Sequence, residues 1–258
     1  MLTGVQTQPA RGELIRILDA DPELGHRLSR EDLEHARRVT VAGMEAIDPG
    51  DWAPLESAED HTGHLGLLVL EGLVIRKIKL GHAVCSELLG QRDILRPWNE
   101  DCAFTVAEID AKWTVLEPLR VAILDHRFAA VAGRWPTIID VILSRMALRA
   151  RCLAVHLAVT RLTRVDVRVL VMLWFLAERW GRVTREGVVV PLRLTHQVLA
   201  NLTGAQRPSV TTALGELGKG GLVARRPDGT WLLHGEVPED LRRVSMVPER
   251  SVSAASST

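Results

Sequence analysis

The stretch from Thr195 to Val223 reads THQVLANLTGAQRPSVTTALGELGKGGLV, and its punctuation decides the fold. Thr195 stands where an N-cap hydroxyl is wanted, ahead of a short helix predicted over His196 to Leu202. Gly204 then occupies a tight inter-helix turn, which needs a residue free to take a positive φ. Ala200 lies four residues before that glycine and Val210 six after it. A small residue, a glycine and a branched apolar residue at this spacing let two short helices pack at a steep angle, the helix-turn-helix pattern. The second helix is predicted to begin at Gln206 or Arg207, with Pro208 in its first turn, where a missing N–H costs nothing. Val210, Ala213, Leu214 and Leu217 form its inner face; Gln206, Arg207, Ser209, Thr211, Thr212 and Glu216 stay outward or flanking. Arg, Gln, Ser and Thr on such an outward face suit base edges and phosphates. Gly220-Gly221 ends the helix, and LVARRPDGTWLLHG at 222–235 reads as two strands around Pro227-Asp228-Gly229, a wing offering Arg225 and Arg226 to a nucleic-acid backbone. The bland alternative is a helical hairpin of another domain type; the agreement of spacing, turn glycine, wing and charge weighs against it.

Charge supports this even though the chain as a whole is neutral, with Lys+Arg 32 against Asp+Glu 32 in 258 residues. From Arg161 to Gly235 there are eleven Arg/Lys and five Asp/Glu, so the C-terminal third is the basic part. Only four basic residues are Lys (Lys77, Lys79, Lys112, Lys219), leaving Arg, the better bidentate donor, in most positions. Ahead of the pattern, Val165 to Trp180 reads as a helix ending at Gly181 as C′ residue, then a short hairpin over 182–193 around Glu186-Gly187. Before that, TIIDVILSRMALRARCLAVHLAVTRL (137–162) has no Gly or Pro and is apolar on most of its circumference, a long helix predicted to be covered on two sides. Its polar stripe is Arg145, Arg149, Cys152 and His156; a solvent-facing stripe is the leading expectation and a ligand-facing one the alternative. From Val39 to about Leu124 the period changes to short strands, VTVAGM, LGLLVLEGLVIRKI, VAEI and WTVLEPLRVAIL, punctuated at Pro49-Gly50-Asp51, Glu71-Gly72 and Gly90, as in a small barrel or roll. Near the start, Glu13 to Leu18 and a segment capped by Ser29 and running to Arg38 read as helical. The tail from Val247, ending SVSAASST, has a disordered composition.

The three scattered cysteines, Cys85, Cys102 and Cys152, make neither a disulfide framework nor a four-thiolate metal site, so a reducing cytoplasm is expected. No stretch approaches the ~18 apolar residues of a membrane span, and the N-terminus lacks a signal-peptide pattern.

With IDPGDW at 47–52, HLGLLVLEGLVIRKI at 64–78, ELLGQRDILRPW at 87–98, the 137–162 helix and QRPSVTTAL at 206–214, the chain resembles the Crp/Fnr family of transcription regulators over nearly its whole length. The resemblance implies an α+β architecture. Residues 1–136 would form a cyclic-nucleotide-binding-like β-roll and 137–162 a dimerisation helix, followed by a winged helix-turn-helix domain at 163–246 and a disordered tail at 247–258. It implies a homodimer on double-stranded, pseudo-palindromic DNA, RNA polymerase as a partner, and no catalysis, metal or cofactor. The expected DNA contacts are Thr195, Gln206, Arg207, Ser209, Thr211, Thr212, Arg225 and Arg226. The expected effector pocket is Glu87, Arg96, Trp98, Arg145 and Arg149.

Two departures matter. Nucleotide-binding members pair a Gly-Glu-Leu segment with a downstream Arg-Ser/Thr-Ala to hold the cyclic phosphate. Here Asp93-Ile94-Leu95 is followed by Arg96-Pro97-Trp98, and 103–112 offers no Arg-Ser/Thr pair, so the pocket is expected to take another effector or none, with a cAMP- or cGMP-responsive regulator as the alternative. Many members read guanine-rich half-sites with Arg-Glu-x-x-x-Arg; Arg207 keeps the first position, while Pro208 and Thr212 replace the Glu and second Arg. A metal-dependent β-roll enzyme using His61 and His64, with Glu59 and Asp60 beside them, is a remote competitor, because His61-x-x-His64 does not make the cupin signature. His82 and Cys85 lie near the haem-ligating position of some relatives; a buried thiol at Cys85 is the favoured reading. Trp98 and Trp113 are expected in the core or lining the cavity.

Overall fold

The computed structural model describes residues 13–54, 62–81, 83–97 and 110–236. His61, with Glu59 and Asp60, His82, Trp98, Cys102, the VAEI strand at 106–109 and the tail from Val247 therefore lie outside the described residues. The chain divides into two compact units, 1–158 and 159–258.

The first unit opens with β1 (Glu13–Arg16), α1 (Ile17–Ala20), a 3-10 turn (Pro22–Gly25) and α2 (Arg30–Val39). Its strands are β2 (Val41–Ile47), β3 (Gly50–Trp52), β4 (Gly66–Leu80), β5 (Ala83–Gly90), β6 (Ile94–Leu95) and β7 (Asp110–Leu124). The antiparallel sheet runs β1-β2-β7-β4-β5, with β3 on β7 and β6 on β4. Two long strands, β4 and β7, thus form its spine, and strand alternation gives the spine two buried faces. Leu67, Val69, Val74, Trp113, Val115 and Val121 fill the inside of the roll. Leu68, Leu70, Ala122 and Leu124 point the other way, onto Ile17, Leu18, Phe128, Ile138 and Ile142 of the helices. Each such fully buried Leu or Ile contributes roughly 1.5–3 kcal/mol. α3 (His126–Ala132), capped by Asp125 Oδ1 on the Phe128 N–H, and α4 (Pro136–Thr160) follow.

Three local expectations are corrected. Glu13 to Arg16 is a strand, paired with Val41 to Met44, and only 17–20 is helical; the four-residue edge strand takes its conformation from a partner distant in sequence. Glu71-Gly72 is not a turn between two strands. The register slips between Val69 and Val74 within one continuous β4, and Gly72, at φ 91, crosses Pro118 so closely that a Cβ would lie 2.2 Å from the Pro118 carbonyl oxygen. Cys85 is exposed, not buried, because it lies toward the Gly81 end of the β4–β5 hairpin on an edge strand.

The second unit contains α5 (Val165–Trp180), β8 (Arg182–Val183), β9 (Val188–Val190), α6 (His196–Thr203), α7 (Arg207–Lys219), β10 (Val223–Arg225) and β11 (Trp231–Leu233). α5 packs against α6, α7 and β9, burying Val169, Met172, Leu173 and Leu176. The wing strands β10 and β11 are not a separate two-stranded ribbon: β11 pairs on with β9, and β9 with β8, in a four-stranded sheet. Gly181 ends α5 in an extended conformation (φ −66, ψ 153), not a left-handed one. Its glycine is required by space instead, since a Cβ there would lie 2.3 Å from the Ala177 carbonyl oxygen.

Candidate nucleic-acid interface

Thr195 Oγ1 accepts the Val198 N–H at 3.2 Å and starts α6 as its spacing requires. α6 ends at Gly204, whose φ of 61 is left-handed; its Cβ position meets nothing closer than 3.8 Å, so glycine is needed here for conformation and not for space. The turn closes with Ala205 N–H donating to Ala200 O at 3.0 Å. Thr203, fully buried, donates its hydroxyl to Leu199 O at 2.7 Å.

α7 begins at Arg207 with Pro208 in its first turn. Val210, Ala213, Leu214 and Leu217 are buried, while Gln206, Arg207, Ser209, Thr211 and Thr212 are exposed. The Thr211 hydroxyl donates back to Arg207 O at 3.0 Å and that of Thr212 to Pro208 O at 3.2 Å. Both hydroxyls therefore face a ligand as acceptors and through their methyl groups. On the wing Arg225 is exposed, with its guanidinium 5.7 Å over the Trp231 ring; Arg226 is half-buried, and its N–H donates to Thr230 O across the hairpin. Asp228 braces that hairpin by accepting from the Thr230 N–H at 3.0 Å and its hydroxyl at 2.6 Å, which holds the carboxyl below its ordinary pKa.

Two residues of the second unit escaped sequence reasoning. Arg168, inside the apolar helix α5, donates to Leu162 O (2.6 and 3.1 Å), Thr203 O (3.0 Å) and Gly204 O (3.3 Å), tying the segment after α4 to the helix-turn-helix turn. An arginine within VDVRVLVML was the available signal. His196 was read only as the first residue of α6; its Nδ1 lies 2.9 Å from Thr211 Oγ1 and its ring 6.2 Å from that of Trp231.

In the first unit, the α4 stripe faces protein and not solvent, against the leading expectation, because acidic partners and the roll lie on that side. Arg145 is bidentate on Asp21 (2.5 and 3.1 Å) and reaches Glu23. Arg149 is bidentate on Glu87 at 2.7 Å and donates to Ile94 O at 3.2 Å. His156 is buried. A cavity of about 330 Å³ is lined by Arg76, Ile94, Arg96, Trp113, Met146 and Arg149, with Ala150 and Leu153. Of the expected pocket residues, Arg96 and Arg149 line it, Glu87 sits beside it on Arg149, and Arg145 turns away to Asp21. Arg76 and Trp113 belong to the cavity as well, with the Arg76 guanidinium 5.7 Å over the indole. His64 stacks on His126 at 5.7 Å, and among the described residues no group of three or more His, Cys, Asp or Glu is placed to hold a metal ion. No described helix is long and apolar enough to cross a membrane.

Residues 167–236 match the family model of the Crp-like helix-turn-helix domain. The regulatory protein CysR of Synechococcus elongatus is 38% identical over 73 residues, 27% of this chain, and the match spans only 35% of that protein's length. Among solved structures, a cyclic nucleotide-binding domain containing protein from Listeria monocytogenes superposes with a TM-score of 0.62 at 15% identity, covering 82% of this chain and 96% of the other. A CooA mutant from Carboxydothermus hydrogenoformans gives 0.57 at 18% identity, covering 79% and 87%. At such identities these two establish a shared fold. Residues 167–236 are thus a Crp-like helix-turn-helix domain, in a chain that shares the fold of these two structures.

Proposed function

We propose that the protein binds a pseudo-palindromic DNA operator as a homodimer and needs no cyclic nucleotide to do so. The observation that carries the DNA half is the polarity of α7: Arg207, Ser209, Thr211 and Thr212 exposed above a buried apolar underside, with Arg225 on the adjoining wing. Arg207 is suited to the O6 and N7 of a guanine, and Gln206, Ser209, Thr211 and Thr212 to bases and phosphates. Thr195, Arg225 and Arg226 serve the backbone. The homodimer rests on α4, where Leu143, Ala147, Ala150, Ala154 and Leu157 recur at four- and three-residue spacing and are all exposed in the single chain. That seam is apolar and small enough for a second copy of the helix to pack closely. Two α7 helices would then meet successive major-groove faces about 34 Å apart.

The roll would act as the sensor domain, the region around residue 160 as the link, and RNA polymerase as the partner at the promoter. The work would take place in the cytoplasm and involve no catalysis. A second reading is favoured by the cavity: Arg76, Arg96 and Arg149 line it against the single carboxylate of Glu87, and that surplus of positive charge suits a small anionic effector other than a cyclic nucleotide. A cAMP- or cGMP-responsive regulator is the alternative.

The test is fluorescence anisotropy of the purified protein on the duplex upstream of its own gene and on a scrambled duplex, without ligand. A preference of ~10³ or more is expected near physiological salt. Equal, weak binding that becomes selective only with added cAMP or cGMP would replace the ligand-free reading with the nucleotide-responsive one.

A further inference from the structure

His196 occupies the place where α6, α7 and the wing meet. Its ring packs against Trp231 of β11 at 6.2 Å, itself 2% exposed, and its Nδ1 lies 2.9 Å from Thr211 Oγ1 of α7. Thr211 has one hydroxyl proton. Arg207 O lies 3.0 Å away, within reach of that proton. With the hydroxyl on Arg207 O, an Nδ1–H donated to Thr211 Oγ1 satisfies both contacts and leaves Nε2 as the site that gains or loses a proton. The neutral ring presents an acceptor at Nε2 and the charged ring a cationic donor, while the bond to Thr211 is the same in both.

We propose that His196 is a positioning residue of the DNA-binding surface, holding the first turn of α7 against the wing through Thr211, and that its uptake of a proton at Nε2 accompanies DNA binding, so that affinity rises as the solution is acidified. The proposal rests on the DNA-binding reading above. The charged groups that face the imidazole are Arg207 of α7 and Arg225 of β10. Burial, then these two guanidinium groups, hold its pKa below the ordinary histidine value in the free protein. Phosphates drawn to Arg207 and Arg225 offset the repulsion from each and add their own negative charge beside the ring, so the pKa rises in the complex. The complex then binds more protons than its separated parts, so linkage requires the dissociation constant to fall as pH falls.

The experiment uses the full-length protein and a mixed-sequence duplex, whose phosphates suffice, with anisotropy measured between about pH 6 and pH 8. Three variants accompany the wild type. His196→Asn keeps an N–H in the place of Nδ1–H but cannot titrate. Thr211→Val removes the acceptor, and His196→Ala removes both functions. The wild type is expected to gain about five- to tenfold more affinity than His196→Asn on going from pH 8 to pH 6. At pH 8 His196→Asn should retain more affinity than His196→Ala, and His196→Ala and Thr211→Val should be weaker than the wild type. The titration of the His196 ring protons by NMR, with and without duplex, is expected to move upward on binding. Parallel pH profiles for wild type and His196→Asn, or an NMR titration that does not move, would overturn the proposal. Failure of every protein to bind the duplex at any pH would overturn the DNA-binding reading itself, and this inference with it.

Discussion

Arg207 is exposed at the first helical position of α7, where its carbonyl takes the Thr211 hydroxyl and its guanidinium stays outward. Arg207→Ala should therefore relax the choice at one base pair, at a cost of ~1–3 kcal/mol of discrimination. A set of single-base operator variants titrated by anisotropy measures this, and an equal loss on every variant would move Arg207 to the backbone contacts. At this scale the sequence was legible wherever a rule is local. Thr195 as a cap, Gly204 as a left-handed turn and Val210 as a buried anchor all depend on neighbours within a few positions. Residues whose surroundings come from far along the chain were not legible. Arg145 and Arg149 looked like a solvent stripe because Asp21 and Glu87, their partners, lie more than sixty residues earlier in the chain. Cys85 looked buried because nothing local marks the outer end of an edge hairpin.

Among elements, the α6–α7 pair turns on a single left-handed glycine. Gly204→Ala places a Cβ in the left-handed conformation without meeting any atom closer than 3.8 Å, so the cost is conformational and about 1–2 kcal/mol. Urea denaturation of the variant should show a lowered midpoint with an unchanged slope. β4 shows why element boundaries were harder to read than element types. Its Glu71-Gly72 pair carries the composition of a turn, yet its flanks both pair with β7, and the ladder absorbs the glycine as an irregularity where the two long strands cross. β1 illustrates the converse. Four residues with a weak pattern become a strand because β2 offers them a free edge.

For the whole molecule, the apolar seam of α4 makes assembly testable apart from DNA. Leu143 and Leu157 are 57% and 60% exposed in the single chain, two heptads apart. Leu143→Glu with Leu157→Glu should convert a dimer to a monomer in sedimentation velocity and lower affinity for a two-half-site duplex far more than for a half-site. A wild type that sediments as a monomer at micromolar concentration would remove α4 as the pairing surface. Arg168 has a mechanical consequence as well. Its guanidinium bonds carbonyls at Leu162 and at Thr203 and Gly204, so the residues leaving α4 and the corner between α6 and α7 are fastened to one planar group. A planar fork with bonds on both sides resists twisting as a flexible loop does not. Torque reaching residue 162 is carried to that corner with little slack, much as a keyed shaft carries rotation to a wheel.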